Sequence, residues 1–358
     1  MGLRIGVLGN GFIAQYHMHG YSEADGIDRI VCCDILADRA KQFSEKWGIH
    51  RHYTDYRDML REEDLDVLSV CTPNRFHLEH TVAALKKGIH VLCEKPIALN
   101  SREAKKMVDE AKKAKRLLTI GHNLRFEADN RALKKIIETG ELGEIYFGRS
   151  HTIRRVGIPG WGQFHKKEIS AGGPLIDIGV HGLDLILWFM GFPGIDTVSG
   201  AAYAKFGNSK DQLHSWNGAL DPSEFTVEDF ACGFARLRNG ASLVLESSWA
   251  GHIEKDSFQQ VVLGDRGGAQ TKPHRVYTTR GGVHVDMDLV ELEDVDSYRE
   301  EILHFLACVR GKARVIVRPE ESLQVMQLIE ALYRSAETGK EVKVRDSTPV
   351  TGAPKGRK

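Results

Sequence analysis

Little in this sequence points toward a secreted, nucleic-acid-binding or membrane protein. Its six cysteines include no CxxC pair, and several lie in apolar strand-like runs, which is typical of buried thiols in a reducing cytosol. Lys and Arg number 49 and Asp and Glu also number 49, so no net charge favours nucleic acid or an anionic membrane. The longest apolar stretch, Leu183 to Phe192, is too short for a membrane span. We therefore expect a cytoplasmic protein that recognises its partners in a local pocket or patch.

A chain of 358 residues exceeds the size at which one hydrophobic core stops growing, so we expect two domains. In residues 1–121, compact β-branched runs alternate with helical patterns, as in βαβ units on a parallel sheet. The predicted strands are Arg4–Leu8, Arg29–Cys33, Val67–Cys71, His90–Cys93 and Leu117–Ile120. The predicted helices are Phe12–Ala24, Asp38–Trp47, Arg75–Lys87 and Ser101–Lys115. The alternation predicts a doubly wound α/β domain of the Rossmann type.

The pattern changes after Gly121 and defines a second predicted domain over residues 122–345. Its predicted helices are Asn130–Glu138, Pro174–Met190, Tyr298–Val309 and Glu320–Thr338. Strand patterns dominate from about residue 195 to 287, and Phe230–Leu237 and Ser242–Ser248 flank an Asn-Gly turn that predicts a hairpin. We predict an α+β domain with a large, mainly antiparallel sheet. Residues 346–358, rich in Lys, Pro, Gly and Thr, are predicted to form a loose tail.

A glycine-rich motif stands between the first predicted strand and the first predicted helix. Residues 9–14 read Gly-Asn-Gly-Phe-Ile-Ala, a GxGxxA pattern. Gly9 permits a tight turn, Gly11 lets the backbone approach a pyrophosphate, and Ala14 is small enough for close helix packing. The start of the helix then offers free N–H groups to the phosphates. We interpret the motif as a dinucleotide-binding site, and the alternative is a structural turn.

Asp34 supports the dinucleotide interpretation because it closes the second predicted strand 20 residues after Ala14. A carboxylate there accepts hydrogen bonds from the adenosine ribose hydroxyls and repels a 2′-phosphate. Ile35 follows where an NADP-binding protein often places an arginine, so the pattern favours NAD over NADP. Arg39, one helical turn away, is close enough to reach a phosphate. The alternative role for Asp34 is that of a helix cap.

Three further motifs follow the third, fourth and fifth predicted strands. They are Cys71-Thr72-Pro73-Asn74 with His77, Glu94-Lys95-Pro96, and Gly121-His122-Asn123. In an open α/β sheet the ligand crevice lies at the carboxyl ends of the strands, so all three motifs point to one place. The predicted cofactor-binding residues are Gly9, Asn10, Gly11, Phe12, Ile13, Asp34, Thr72, Pro73, Asn74, His77, Glu94, Lys95 and Asn123.

Asp177 and His181 are four residues apart in the predicted helix Pro174–Met190, which places them on one face. Asp184 continues this ionisable stripe, while the remaining positions are apolar. A helix this apolar is mostly buried, so its stripe is expected to line a cleft. The alternative is a solvated face that carries an Asp–His pair.

The order of these motifs resembles the family of glucose–fructose oxidoreductase, inositol dehydrogenase and MocA. The segment Gly172-Gly173-Pro174-Leu175-Ile176-Asp177-Ile178-Gly179-Val180-His181 and the Glu-Lys-Pro motif make the resemblance specific, and it covers about residues 3–345. The resemblance implies a catalytic trio of Lys95, Asp177 and His181 beside the nicotinamide. It also implies a carbohydrate or cyclitol alcohol as the small-molecule substrate.

This sequence departs from many relatives of that family after the fifth strand, where Asn123 and Leu124 precede Arg125 instead of a Met-Arg pair. The departure puts the substrate contact expected of that arginine in doubt. Trp161 and His165 precede the catalytic segment in a Gly-rich loop and are candidate walls of the sugar pocket. Paired histidines, His17 with His19 and His77 with His80, lack a set of companion ligands, so we predict no metal.

The leading hypothesis is an NAD-dependent dehydrogenase that oxidises a secondary ring hydroxyl. The alternatives are reduction of a keto-sugar or aldose by the same residues, and a dinucleotide-binding sugar sensor without chemistry. We also predict a homodimer or homotetramer that forms through an exposed face of the second domain's sheet. The residues predicted to supply that face are Phe230, Phe234, Leu243 and Leu245.

Overall fold

The computed structural model describes residues 2–210 and 213–350 and divides into two compact units. The first unit contains the residues up to Glu127 together with Val295–Leu323. The second contains Ala128–Asp294 together with the residues from Gln324 onward. Residues 295–323, which the sequence analysis groups with the second domain, therefore pack within the first unit.

A parallel sheet forms the centre of the first unit. The strands up to residue 127 are β1 (Leu3–Leu8), β2 (Ile27–Cys33), β3 (His52–Tyr53), β4 (Val67–Val70), β5 (His90–Cys93) and β6 (Leu118–Ile120). The helices are α1 (Phe12–Ser22), α2 (Ala37–Trp47), α3 (Tyr56–Glu62), α4 (His77–Lys86) and α5 (Ser101–Ala114). The strands pair in parallel in the order β3-β2-β1-β4-β5-β6. This order confirms the predicted doubly wound Rossmann sheet.

The central strands of this sheet are buried on both faces, as parallel strands covered by helices are expected to be. All four residues of β4 are buried, and β5 is buried except for His90. Strand β3 and helix α3 were not predicted from the sequence. A two-residue strand and a seven-residue helix are too short to show a hydrophobic period.

From residue 128 onward, the described helices and strands follow in chain order. They are α6 (Ala128–Glu138), β7 (Ile145–Ile153), β8 (Ile158–Pro159), α7 (Lys167–Ser170), α8 (Pro174–Asp177), α9 (Gly179–Met190), β9 (Ile195–Tyr203), β10 (Ser215–Trp216), β11 (Phe230–Leu237), β12 (Ser242–Ser248), β13 (Ser257–Gly264), β14 (Gly267–Gln270), β15 (Arg275–Arg280), β16 (Val283–Asp288), α10 (Ser297–Val309), α11 (Pro319–Thr338) and β17 (Val342–Lys343). Helix α10 lies in the first unit, and the boundary between the units falls within α11.

The second unit is built on a large sheet with the strand order β16-β15-β14-β13-β7-β12-β11-β9-β17. Its pairs are antiparallel except for β7 with β12, which confirms the predicted, mainly antiparallel sheet. The predicted hairpin of β11 and β12 has the expected bounds. Helix α9 packs on one face of this sheet, where a Cβ added at Gly148 would lie 2.5 Å from the Met190 sulfur.

The register of β11 and β12 corrects one expectation about the exposed face. Phe234 is paired with Val244, whereas Leu243 is paired with Ala235. Because paired residues share a face and neighbours alternate, Phe234 and Leu243 point to opposite sides of the sheet. Leu243 and Leu245 are buried, while Phe230 and Phe234 are half-buried. The prediction that all four residues supply one exposed face was therefore wrong.

Helix α10 belongs to the first unit because it packs tightly against α1. A Cβ added at Gly20 would lie 2.7 Å from the Ile302 Cβ, so the glycine is what lets the two helices approach. Ile302, Phe305 and Leu306 join Met18 and Tyr21 in one buried cluster. No local sequence pattern reveals that a helix almost 300 residues along the chain returns to the first sheet.

The predicted tail is anchored in its first part. The Ser347 hydroxyl accepts the Ile195 N–H at 3.0 Å, and the Val350 N–H donates to the Phe192 carbonyl at 3.2 Å. Residues 351–358 of that prediction lie outside the described residues. Within the described ranges, no single helix has the length and apolar composition of a membrane span. One bent pair, Lys167–Asp177 followed by Gly179–Met190, meets that criterion only when its two parts are combined.

Candidate active site

The glycine loop after β1 has the shape that a dinucleotide requires. Gly9 has φ +87°, and a Cβ there would lie 2.7 Å from the Cys71 carbonyl oxygen. A Cβ at Gly11, in contrast, would meet nothing within 4 Å, so the backbone there is open to a ligand. Helix α1 starts directly after Gly11, and among the described residues no side chain caps its first turn. The N–H groups at the start of a helix are suited to bind a pyrophosphate.

Asp34 lies at the end of β2 and is only 5% exposed. Its carboxylate accepts the backbone N–H of Asn10 and the backbone N–H of Leu36, each at 2.9 Å. The Arg39 guanidinium lies 3.6 Å from the same carboxylate. Asp34 is thus held in place beside the glycine loop, as the ribose-binding prediction requires, and Arg39 partly balances its charge.

An aromatic row flanks the start of α1. Phe12 is 67% exposed, its ring packs edge-on against Tyr16 at 5.3 Å, and Tyr16 contacts Tyr298 of α10 at 4.7 Å. Ile13, in contrast, packs against the core cluster of the unit. Neither Tyr16 nor Tyr298 was predicted as a site residue. Tyr298 could not be predicted, because α10 is distant in sequence and only tertiary packing brings it to Tyr16.

His77 joins two of the predicted cofactor loops. Its Nδ1 lies 2.7 Å from the Pro96 carbonyl oxygen and its Nε2 lies 2.8 Å from the Thr72 carbonyl oxygen. Burial lowers the pKa of His77, although the two carbonyl oxygens act in the opposite direction. The His77 side chain is 1% exposed. Its two contacts connect the loop after β4, which contains Pro73 and Asn74, to the loop after β5, which contains Lys95.

Glu94 is buried and belongs to a chain of polar side chains. His17 Nε2–H donates to the Glu94 carboxylate at 3.0 Å, and His17 Nδ1 lies 2.9 Å from the Ser69 hydroxyl, which also contacts Tyr21 at 2.6 Å. Burial acts to raise the pKa of Glu94, but the His17 hydrogen bond and the charge of Lys95 hold it below its ordinary value. The Lys95 N–H donates to the same carboxylate at 3.2 Å.

The segment after β6 contributes one polar side chain and one buried ion pair. The Asn123 amide donates to the Ser297 hydroxyl at 3.0 Å. Arg125 is fully buried and lies 2.5 Å from the Glu321 carboxylate, with a further hydrogen bond to the Ile316 carbonyl. Arg125 thus has a structural role in the first unit, in agreement with the departure from the family pattern seen in the sequence.

Asp177 and His181 lie on either side of a helix break. The predicted continuous helix is wrong, because α8 ends at Asp177 and α9 begins at Gly179. The segment Lys167–Asp177 is bent by 50° relative to Gly179–Met190. The Asp177 Oδ2 accepts the indole N–H of Trp249 at 3.0 Å. Trp249, at the end of β12, was missed by the sequence analysis, since nothing local connects it to Asp177.

The Gly-Gly pair before α8 has a steric explanation. A Cβ at Gly172 would lie 2.1 Å from the Tyr333 hydroxyl, and one at Gly173 would lie 1.9 Å from the Glu228 carbonyl oxygen. Glu228 accepts the Gly173 N–H at 3.0 Å and the Tyr333 hydroxyl at 2.8 Å, and burial raises the pKa of this carboxyl. Because neither glycine has a Cβ, the start of α8 packs directly against Glu228 and Tyr333.

Trp161 and His165 lie in the loop between β8 and α7, within the second unit. Trp161 is 39% exposed, and its ring packs edge-on against Phe164 at 4.8 Å. His165 is buried, with Nε2 3.7 Å from the Glu224 carboxylate. Trp161 thus presents part of its ring to solvent, whereas His165 lies inside the loop.

In the part of the chain that the structure describes, no group of three or more His, Cys, Asp or Glu side chains is arranged to hold a metal ion. His17 contacts Glu94, and His19 packs against Trp47. His77 contacts backbone carbonyls, and His80 contacts the Thr72 hydroxyl. Each of the four paired histidines thus has a partner of its own.

The fold and the glycine loop with Asp34 define an oxidoreductase that binds NAD. The chain belongs to the family of glucose–fructose oxidoreductase, inositol dehydrogenase and MocA. Its NAD-binding Rossmann fold model matches residues 3–122, and its C-terminal alpha/beta domain model matches residues 134–344. The family assignment confirms the resemblance seen in the sequence, and the protein is an NAD-dependent oxidoreductase.

Curated relatives cover nearly the whole chain. A D-glucoside 3-dehydrogenase of Escherichia coli is 37% identical over 346 residues, which is 96% of this chain and 97% of that protein. A myo-inositol 2-dehydrogenase of Thermotoga maritima is 26% identical over 352 residues, 96% and 99% of the respective chains. A solved levoglucosan dehydrogenase with NADH and levoglucosan has a TM-score of 0.82 at 21% identity, covering 96% of this chain and 100% of that one. That structure shows a shared fold.

Proposed function

We propose that this protein oxidises a secondary ring hydroxyl of a sugar, specifically of a glucoside, and transfers the hydride to NAD. The observation that carries the proposal is the similarity to the D-glucoside 3-dehydrogenase along almost the entire chain. The similarity to a myo-inositol 2-dehydrogenase supports a ring alcohol more generally. Carbon 3 of the glucosyl ring is accordingly the proposed site of oxidation.

Lys95, Asp177 and His181 are the proposed catalytic residues. The His181 ring takes the proton of the substrate hydroxyl as a general base. Lys95 donates a hydrogen bond to the same oxygen and stabilises the negative charge that develops there. Asp177 orients the other two, and its negative charge balances the Lys95 ammonium and the positive charge that the His181 ring gains with the proton. Bound NAD supplies the acceptor for the hydride that leaves the carbon, so the alcohol becomes a ketone.

The residues of the first unit fit NAD. The open backbone at Gly11 and the uncapped start of α1 suit a pyrophosphate, and the Asp34 carboxylate suits a ribose diol. Phe12 and the loops after β4 and β5, which His77 connects, are proposed to contact the parts of NAD other than the pyrophosphate and that ribose.

The same three residues catalyse the reverse reduction of a keto-sugar by microscopic reversibility, so direction depends on the supply of the substrates. A dinucleotide-binding sensor is the alternative from another class. The presence of Lys95, Asp177 and His181 together supports the enzyme over the sensor.

The test is a screen of methyl glucosides, glucose-containing disaccharides, free glucose and myo-inositol with NAD and with NADP, followed by absorbance of reduced nicotinamide. We expect the fastest turnover with a glucoside and NAD, and a 3-keto product by NMR. Faster turnover of myo-inositol would contradict the glucoside assignment. Binding of NAD without turnover of any of these alcohols would favour the sensor.

We also propose a homodimer or homotetramer that forms through the sheet face opposite α9. Phe230, Cys232 and Phe234 are half-buried on that face, and Phe230 is paired with Tyr203, which is 46% exposed. Burial of such aromatic side chains against a second copy is favourable by the hydrophobic effect. The proposed compartment is the cytoplasm, which the six free thiols support.

A further inference from the structure

Trp249 is fully buried. Its indole N–H donates a hydrogen bond to Oδ2 of Asp177 at 3.0 Å. The Trp249 backbone N–H donates to the Asp229 carbonyl at 3.0 Å, so the residue is also fixed at its main chain. An indole N–H is a donor only, and a buried one needs a partner. The carboxylate of Asp177 is that partner.

The ring of Trp249 has no freedom to turn away from Asp177, because it is part of a buried apolar cluster. The other members of the cluster are Ile158, Ile178, Leu220, Phe225, Val227 and Ala250, with Phe164 and Phe206 packed against them. Asp229 holds the Phe206 segment by accepting three backbone N–H groups at 2.6–3.0 Å. Close packing of this kind restricts a side chain to one rotamer.

Asp177 is the last residue of the four-residue helix α8, and its backbone N–H donates to the Gly173 carbonyl at 3.0 Å. The start of α8 is held by Glu228, whose carboxylate accepts the N–H groups of Gly173 and Leu175. The Ser247 hydroxyl donates to the Pro174 carbonyl at 2.9 Å. Helix α8 is thus held near its start by Glu228 and Ser247 and at its end by Trp249.

The carboxylate of an aspartate rotates about a broad, roughly two-fold torsion, so its backbone position alone does not set the plane of its oxygens. A hydrogen bond to one oxygen from a rigid donor does set that plane. With Oδ2 directed at Trp249, Oδ1 is the oxygen that is turned away from the indole.

We propose that Trp249 is a positioning residue for the reaction: its indole N–H fixes the carboxylate plane of Asp177, so that Oδ1 is presented for catalysis. The inference rests on the proposed function, which makes Asp177 a catalytic residue. It assigns Trp249 a role that acts only through Asp177 and not through the cofactor.

The test compares the unmodified full-length protein with Trp249→Phe, which removes the N–H and keeps an aromatic ring. We expect kcat to fall about tenfold, the effect of losing one hydrogen bond to a charged group. The KM for NAD should change less than twofold. Trp188→Phe is the matched control, because Trp188 lies on α9 and packs on Phe189, and it should keep its kcat within twofold.

The same substitution in an Asp177→Asn background separates positioning from general support of the fold. If Trp249 acts through the Asp177 carboxylate, Trp249→Phe should lower kcat less than twofold once Asp177 is Asn. An equal loss in both backgrounds would overturn the inference while leaving the proposed function intact. An Asp177→Asn protein with full kcat would overturn the inference together with the catalytic role of Asp177, whereas no turnover of any glucoside by the unmodified protein would overturn the proposed function.

A second variant distinguishes the loss of the N–H from a folding defect of Trp249→Phe. Placing benzothienylalanine at position 249 replaces the indole N–H with sulfur and keeps the shape of the ring. We expect the same tenfold loss of kcat with an unchanged thermal midpoint. Full kcat in this variant would overturn the inference.

Discussion

The carboxylate of Asp34 accepts the backbone N–H of Asn10 at 2.9 Å, so the end of β2 is tied to the glycine loop that follows β1. We therefore propose two roles for this aspartate. It shapes the glycine loop proposed to approach the pyrophosphate, and it places a negative charge where we propose that the ribose of NAD, or the 2′-phosphate of NADP, would lie.

We expect Asp34→Ser to narrow the preference for NAD over NADP and also to weaken NAD binding, because the loop loses its acceptor. Asp34→Asn keeps an oxygen acceptor but removes the charge, so it should narrow the preference with a smaller loss of NAD affinity. The measurement is kcat/KM with each cofactor. Equal use of NADP by the unmodified protein would contradict the predicted preference.

We expect Lys95→Met and His181→Ala each to lower kcat by about 10²–10⁴-fold, the usual contribution of general acid–base catalysis. Asp177→Asn should cost less, because it orients the other two residues. The NAD dissociation constant, measured by quenching of tryptophan fluorescence, should stay within about threefold for all three variants.

The matched control for these variants is Lys135→Met on the exposed side of α6, which should keep full turnover. A normal kcat for the His181 variant would show that the proton leaves through another group. A normal kcat for the Lys95 variant would contradict its proposed stabilisation of the charge on the substrate oxygen.

The lowered pKa of Glu94 predicts how the free energy of unfolding depends on pH. Its pKa in the folded protein lies below its ordinary value of 4.5, so the carboxylate stabilises the fold above that value and loses this contribution as the pH falls through the folded pKa. Glu94→Gln lacks the titrating group. The difference in urea midpoint between the unmodified protein and Glu94→Gln should therefore shrink as the pH is lowered from about 6 to about 3.

Glu45→Gln, which removes an exposed carboxylate on α2, is the control and should leave that pH dependence unchanged. A difference that grows toward acidic pH would mean that burial outweighs the His17 hydrogen bond at Glu94.

Arg125→Met should destabilise the first unit by about 3–5 kcal/mol, the typical cost of leaving one partner of a buried ion pair uncompensated. Lys105→Met removes a cation from the exposed pair with Asp109 and should cost at most about 0.5 kcal/mol. Urea denaturation of both variants provides the comparison. A similar small loss for both would show that the Glu321 carboxylate is adequately paired by Arg318 alone.

Light scattering should report a mass of two or four times 40.0 kDa at micromolar concentration. Phe234→Glu places a charge on the half-buried sheet face and should give a monomer, while Lys135→Glu on α6 should not. A monomer for the unmodified protein would contradict the proposed assembly.

The strands of the Rossmann domain were predictable because each is a compact apolar run bounded by turn residues. Predicted and observed bounds agree within two residues for all five predicted strands. The glycine loop and Asp34 were also recognisable, since their spacing follows directly from the geometry of one βαβ unit.

Two features could not be predicted from the sequence for physical reasons. The break at Ile178 interrupts a helix whose apolar pattern is continuous, because Glu228 and Trp249 hold α8 by contacts that are remote in sequence. The faces of β11 and β12 depend on register, and a shift of one residue moves every side chain to the other side.

The sequence by itself determined the two kinds of domain and the nucleotide motif, because these depend on local periodicity and on spacing within one strand–helix unit. The residues proposed for catalysis came from the resemblance of the Glu-Lys-Pro and Gly-Gly motifs to the family. Only the tertiary structure decided that α10 packs with the first unit, that Glu94 is held by His17, and that Asp177 is held by Trp249. Those contacts join residues separated by more than 70 positions in the chain, and no local pattern specifies them. They follow from the close packing of buried side chains, in which each polar group must find a partner.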